Sequence, residues 1–354
     1  MRSARWVTAG LLGTVLVAGA VHHNRIAKLR RLAAELLAEL PPALAPDREY
    51  PVLADDGVML SVEELDPIDG GSPELTVLLI HGYTLDRQCW LFQRRELANS
   101  TAPRVRQVLY DLRSHGRSDR SLRSACTIEQ LGRDLHTVIH TAAPEGQVVL
   151  VGHSMGGMTI MALAEHNPDL FAERICGVVF LNTSAGDIGR SGLSRPFLSR
   201  RNPIMPVARR LSRWQPSTRA IDRGRDAAGH LAWSLTRKFS FADKAVSPAV
   251  VELLHAMISA TCFEVVVDFL ETFGAHNRYA ALAGLKYAKA LVIGSDGDQL
   301  IPYQHCEAIA ALLPDVELVQ VDGSGHVPML EQPTLVNEHL LEFLAQCAKC
   351  SPNR

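Results

Sequence analysis

The stretch Gln147-Val148-Val149-Leu150-Val151-Gly152-His153-Ser154-Met155-Gly156-Gly157 constrains this chain more than any other. An apolar, β-branched run stops at two glycines that flank one serine, and a helix-compatible run, Met158 to Glu165, follows at once. That order predicts a strand, a tight turn and a helix, with Ser154 at the tip of a G-x-S-x-G turn. Small neighbours let such a turn push the hydroxyl out of the sheet into a pocket. The first amides of the following helix then point where a negative oxygen would develop, and Met155 N–H is the first of them.

A serine hydroxyl is a weak nucleophile at neutral pH and needs a base in hydrogen-bond reach, itself held by a third group. Two later loops supply candidates. After an expected strand from Ala290 to Ile293 comes Gly294-Ser295-Asp296-Gly297-Asp298, which puts acids at a strand's carboxyl end. After an expected strand from Val316 to Val321 comes Asp322-Gly323-Ser324-Gly325-His326, which puts a histidine in a glycine-rich loop at the same edge. Open α/β sheets collect their catalytic groups at that edge. Asp187, beyond another strand end, is a third candidate acid. His153 is expected to pack beside the nucleophile without transferring protons.

With two further segments, these motifs resemble a serine-dependent α/β-hydrolase of the capped esterase and lipase-like group. His81-Gly82-Tyr83 follows the first buried strand, as that family's oxyanion loop does, and Tyr110-Asp111-Leu112-Arg113-Ser114-His115-Gly116-Arg117-Ser118 is similar to its D-x-R-x-x-G-x-S segment. The resemblance covers residues 50 to 346. It implies a mostly parallel, doubly wound sheet of eight strands with helices on both faces, a Ser154, Asp298, His326 triad, and an oxyanion hole made by the amides of Tyr83 and Met155. Asp298 is preferred to Asp296 because it stands four residues before Pro302, the family's spacing, whereas Asp296 is expected to close the turn. Asp111, Arg113 and His115 are expected to form a structural network. The implied reaction is hydrolysis of a carboxylic ester, apolar or lipid-like, through an acyl-serine and without cofactor or metal. Carbon-carbon bond hydrolases and perhydrolases share the serine and remain alternatives, as does a non-catalytic, membrane-anchored binding protein.

The remaining chain sets the architecture. Strands expected at 76–80, 105–110, 148–151, 178–181, 290–293 and 316–321 alternate with helical patterns. The clearest helix starts at Thr127, where Thr127 and Gln130 predict a capping box. A hairpin is expected from Val52 to Leu65 around Asp55-Asp56-Gly57. The alternation lapses between residues 183 and 289, which predicts an inserted helical cap, and divides the catalytic core into 42–182 and 290–346. Twelve basic residues face two acidic ones between 190 and 238, a local charge of +10.

Residues 6 to 21 are an apolar run preceded by Arg2 and Arg5, shorter than the about 20 residues a spanning helix needs. Ile26, Leu29, Leu32, Leu36 and Leu40 continue as one amphipathic face, so residues 1–41 are expected to be an uncleaved membrane anchor and amphipathic helix, with signal cleavage and secretion the alternative. The basic residues that follow the run place the catalytic part on the cytoplasmic side. The formal charge of -2 predicts no general attraction to nucleic acid. Seven cysteines do not form a disulfide framework, and Cys347-x-x-Cys350, on a tail from 347 to 354, has no second pair to make a metal site. His136 and His140, one turn apart, lack the glutamate and third ligand of a zinc helix.

Overall fold

The computed structural model describes residues 24–188 and 221–349, the side chains of 221–228 excepted. The apolar run at 6–21, most of the basic stretch and Cys350 lie outside these residues. In chain order the elements are α1 (24–36), β1 (Arg48–Leu53), β2 (Met59–Leu65), β3 (Leu75–Ile80), α2 (Leu91–Ala98), β4 (Val105–Tyr110), α3 (Ile128–Ala142), β5 (Val148–His153), α4 (Met155–His166), α5 (Pro168–Glu173) and β6 (Ile175–Leu181). After these come α6 (Ile221–Ser240), α7 (Pro248–Ala260), α8 (Phe263–Ala275), β7 (Lys289–Ser295), α9 (Gln304–Ala310), β8 (Val316–Val321), α10 (Pro328–Glu331) and α11 (Pro333–Lys349).

The strands form one eight-stranded sheet in the order β1-β2-β4-β3-β5-β6-β7-β8. The β1–β2 and β2–β4 pairs are antiparallel and all the others parallel. Every residue of β3 and β5 is buried, as expected of central parallel strands covered on both faces. Alternate side chains divide between the two layers. Leu78, Ile80, Val108 and Leu150 pack with Leu131, Leu135 and Ile160 of α3 and α4, while Val77, Leu79, Leu109 and Val151 pack with Leu97 of α2 and Leu340 of α11. From β3 the chain runs to β4 on one side and then crosses back past β3 to β5 on the other. The strand order therefore reverses beside β5, where sheets of this kind open a crevice.

Three local expectations need correcting. The hairpin expected from Val52 begins earlier, at Arg48, and its Pro51 pairs with Ser61 on an edge strand where a missing N–H costs least. Thr127 Oγ1 accepts the Gln130 amide at 3.2 Å, but the return half of the capping box is not made. The Gln130 side chain donates instead to Asp55 at 2.6 Å and Asp134 at 3.3 Å, drawn towards the network around Arg113. In α1, Ile26 and Ala33 are buried, Leu29 is partly buried and Leu32 is 41% exposed, while Leu40, beyond the helix end, is partly buried. The inward stripe runs 26, 29, 33, 36, 40, alternating steps of three and four, and Leu32 falls outside it. That stripe packs on the protein. Ile26 shares a cluster with Trp233, Val250 and Leu254, and Arg30 meets His230 at 3.4 Å and Glu252 at 3.7 Å.

Between β6 and β7 the described residues form α6, α7, α8 and a short 3-10 helix, Ala280–Leu285, with α7 and α8 meeting at 90°. This layer covers the crevice beside β5. Among the described residues no single helix is long and apolar enough to cross a membrane.

Candidate active site

Ser154 stands between β5 and α4 with φ +52° and ψ -115°. A non-glycine residue held there carries about 1–3 kcal/mol of strain, which persists only when the surroundings fix it. Here they do: the Ser154 amide donates to Leu181 O at 2.9 Å, and Ser154 O accepts Thr183 Oγ1 at 2.6 Å. The helix that follows crosses β3 so closely that a Cβ on Gly156 would lie 2.2 Å from Ile80 O, so only glycine fits.

His326 Nε2 lies 3.1 Å from Ser154 Oγ, and His326 Nδ1 lies 2.7 Å from Asp298 Oδ2. A carboxylate can only accept, so the ring carries its proton on Nδ1 and offers Nε2 to the serine. The amides of Leu300 and Ile301 donate to Asp298 Oδ1 at 2.8 and 2.9 Å. Asn182 Nδ2 donates to Asp298 Oδ2 and to Gly325 O, both at 2.9 Å. The acid therefore has no freedom to turn. Asp296 is exposed and accepts the Gly323 amide at 2.8 Å, closing the turn across from the histidine loop. Asp187 is also exposed, and its charge acts on His305.

Tyr83 lines the crevice over Ser154, and Met155 directly follows that serine. Met155 opens α4, so its amide is among those no helical carbonyl can take. Tyr83 follows β3; its hydroxyl donates to Val266 O of α8, and its ring meets Phe273 edge-on at 5.0 Å. His81 sets this loop. Its Nε2 accepts the Leu112 amide at 2.9 Å, so Nδ1 holds the proton and donates to Gly82 O at 2.8 Å. Burial lowers its pKa to about 4, which keeps the ring neutral in that role. His153 Nε2 donates to His326 O at 2.8 Å, and burial pushes its pKa well below the usual value, so it is a neutral support under the catalytic loop.

Arg113, fully buried, is bonded through two nitrogens each to Asp134, at 2.6 and 2.7 Å, and Asp56, at 2.6 and 3.0 Å. Asp111 accepts the amides of Arg87 and Arg117, and His115 Nδ1 donates to Arg113 O. His136 and His140 lie Nε2 to Nε2 at 3.1 Å on an exposed face. Among the described residues no three histidines, cysteines or acids are grouped to hold a metal.

A cavity of about 510 Å³ opens over Ser154 and His326. Leu235, Phe239, Leu254, Ile258, Leu270 and Phe273 from the cap form one wall, and Met158, Leu300, Ile301 and Val327 form much of the other. Among the described residues, none of its lining side chains is a carboxylate, lysine or arginine. The large apolar residues of α8 divide: Leu270 and Phe273 face the cavity, Phe269 is buried against His115 at 5.4 Å, and Phe263 is 54% exposed.

Two residues of this site carry no sequence signature. Asn182 joins the acid to the histidine loop, and Glu331 joins that loop to the cap, accepting from Gly325, Ser324, Ala242 and Asp243. A polar residue immediately after a buried strand was the only hint for Asn182.

Comparison with known proteins agrees with this fold. The chain is 26% identical over 347 residues to the dihydrolipoyllysine-residue acetyltransferase component of the acetoin cleaving system of Pseudomonas putida, spanning 95% of this chain and 80% of that one. It is 24% identical over 294 residues to the AB hydrolase superfamily protein YisY of Bacillus subtilis, 82% of this chain and 97% of the other. Among solved structures, a thermophilic esterase from Thermogutta terrifontis superposes with a TM-score of 0.67 at 26% identity, over 85% of this chain and 99% of that one. The sequence profile of the alpha/beta hydrolase family matches residues 77–339, most of the chain, and the chain belongs to that family.

Proposed function

We propose that the protein is a serine hydrolase that cleaves esters of apolar, uncharged carboxylic acids. The observation that carries this reading is the bonded series Ser154, His326, Asp298 opening into a cavity whose lining, among the described residues, has no carboxylate, lysine or arginine. His326 Nε2 takes the Ser154 proton as Oγ attacks the ester carbonyl. The amides of Tyr83 and Met155 donate to the oxyanion, and the alcohol leaves with the proton from His326. Water, activated by the same imidazole, then releases the acid and restores Ser154. The similarity to an esterase supports the reaction class, and the apolar cap wall supports an acyl chain as the part enclosed.

With p-nitrophenyl esters of increasing acyl length, kcat/KM should rise about 3- to 4-fold per methylene, the transfer free energy of one CH₂, until the cavity is full. An ester bearing a terminal carboxylate on the acyl chain should be a poor substrate. Preference for the charged acyl group, or indifference to length, would contradict the reading.

The place of work is proposed from sequence: the run at 6–21 anchors the chain in a membrane with the catalytic part on the cytoplasmic side, and α1 carries it to the cap. Cell fractionation tests this. Full-length protein should sediment with membranes and resist salt washing, whereas a chain beginning at residue 24 should be released; a full-length chain found in the supernatant would refute the anchor.

A further inference from the structure

The turn after α6 of the cap, Ser240 to Asp243, is wedged against the loop that carries His326. The His326 amide donates to Ser240 O at 2.9 Å. A Cβ on Gly325 would lie 2.5 Å from Ser240 O and 2.8 Å from Ala242 N, so two backbones touch with no side chain between them. Phe239 and Ser240, directly before this contact, line the cavity. The cavity wall and the catalytic base are therefore joined through a few bonds.

Glu331, at the end of α10, bonds to both sides of that contact. Its Oε1 accepts the amides of Ala242 at 2.9 Å and Asp243 at 2.6 Å; its Oε2 accepts the Gly325 amide at 2.5 Å and Ser324 Oγ at 3.0 Å. One oxygen serves the cap and the other the histidine loop. Only an ionised carboxylate offers acceptors on both sides, since a protonated acid or an amide must turn a donor towards one pair.

We infer that Glu331 is a positioning residue that couples the cap to the general base, so that a substrate packed against Phe239 fixes His326 through the Ser240–Gly325 contact. This rests on the hydrolase reading for its kinetic consequence, though the coupling itself does not. A core carboxylate with a merely structural role would stabilise the fold without linking these two segments in particular. The bridge predicts that they loosen together.

The test compares full-length wild type, Glu331→Gln and Glu331→Ala. Glu331→Gln keeps shape and volume but must break one side of the bridge. In hydrogen exchange, protection should fall together at 239–243 and 322–327, while β3 and β5 stay protected. With a short p-nitrophenyl ester, kcat should fall about 10- to 100-fold with KM nearly unchanged, because a misplaced base slows chemistry more than binding. If Glu331→Gln loosens neither segment or only one, or loosens β3 and β5 equally, the coupling is wrong. If exchange behaves as described but kcat is unchanged, the positioning role is wrong. Should wild type show no turnover, the hydrolase reading fails, and exchange still decides the coupling on its own.

Discussion

Replacing Ser154 with alanine is expected to reduce ester turnover by about 10⁶-fold, to the level left by binding and the oxyanion amides, while the protein stays folded. The substitution removes one hydroxyl oxygen that faces a cavity and no core volume. It also removes the partner of His326 Nε2 at 3.1 Å. His326→Ala should cost nearly as much, and the double variant little more than either alone, because the two groups act as a unit. Turnover with purified variants of matched thermal stability measures this. Losses that multiplied in the double variant would mean that the two residues serve separate steps.

The second large effect separates two neighbouring acids. Asp298→Asn should lower kcat by about 10⁴-fold, since an amide presented to Nδ1 favours the tautomer with its proton on Nε2, the nitrogen that must accept from Ser154. Asp298 is also fastened by the amides of Leu300 and Ile301 and by Asn182, so the substituted side chain cannot move aside to relieve the conflict. Asp296→Asn should change kcat by no more than a few fold, because the exposed carboxylate only closes a turn with Gly323, and an amide oxygen can accept that bond. Equal losses at 296 and 298 would leave the acid unassigned, and a large loss at 296 alone would reverse the assignment.

Much of this site was legible from local sequence because each of its reacting groups sits in a loop whose backbone shape needs particular neighbours. Ser154 needs small residues two positions either side to make its strained turn, and the pattern survives in one line of sequence. His326 and the acids follow apolar runs that read as strands, so their place at the carboxyl edge follows from strand direction. Asn182 and Glu331 were not legible. Their partners lie in the loops around 298, 325 and 242, and nothing in the residues beside them records those contacts. The α1 stripe was misread by one position for a related reason: Leu32 is more apolar than Ala33, yet the helix buries Ala33 and leaves Leu32 41% exposed, a choice made by tertiary packing rather than by local hydrophobicity. Gln130 shows the same competition, its side chain leaving a local cap for Asp55 and Asp134 beside the Arg113 network.

The central claim is that Ser154 is a nucleophile activated by His326. It is tested most directly by treating the full-length protein with a fluorophosphonate and mapping the adduct by peptide mass spectrometry. The account predicts one adduct per chain, on Ser154, absent from Ser154→Ala and formed at least about 10³-fold more slowly in His326→Ala. An adduct on another residue, or labelling that persists undiminished in Ser154→Ala, would contradict it.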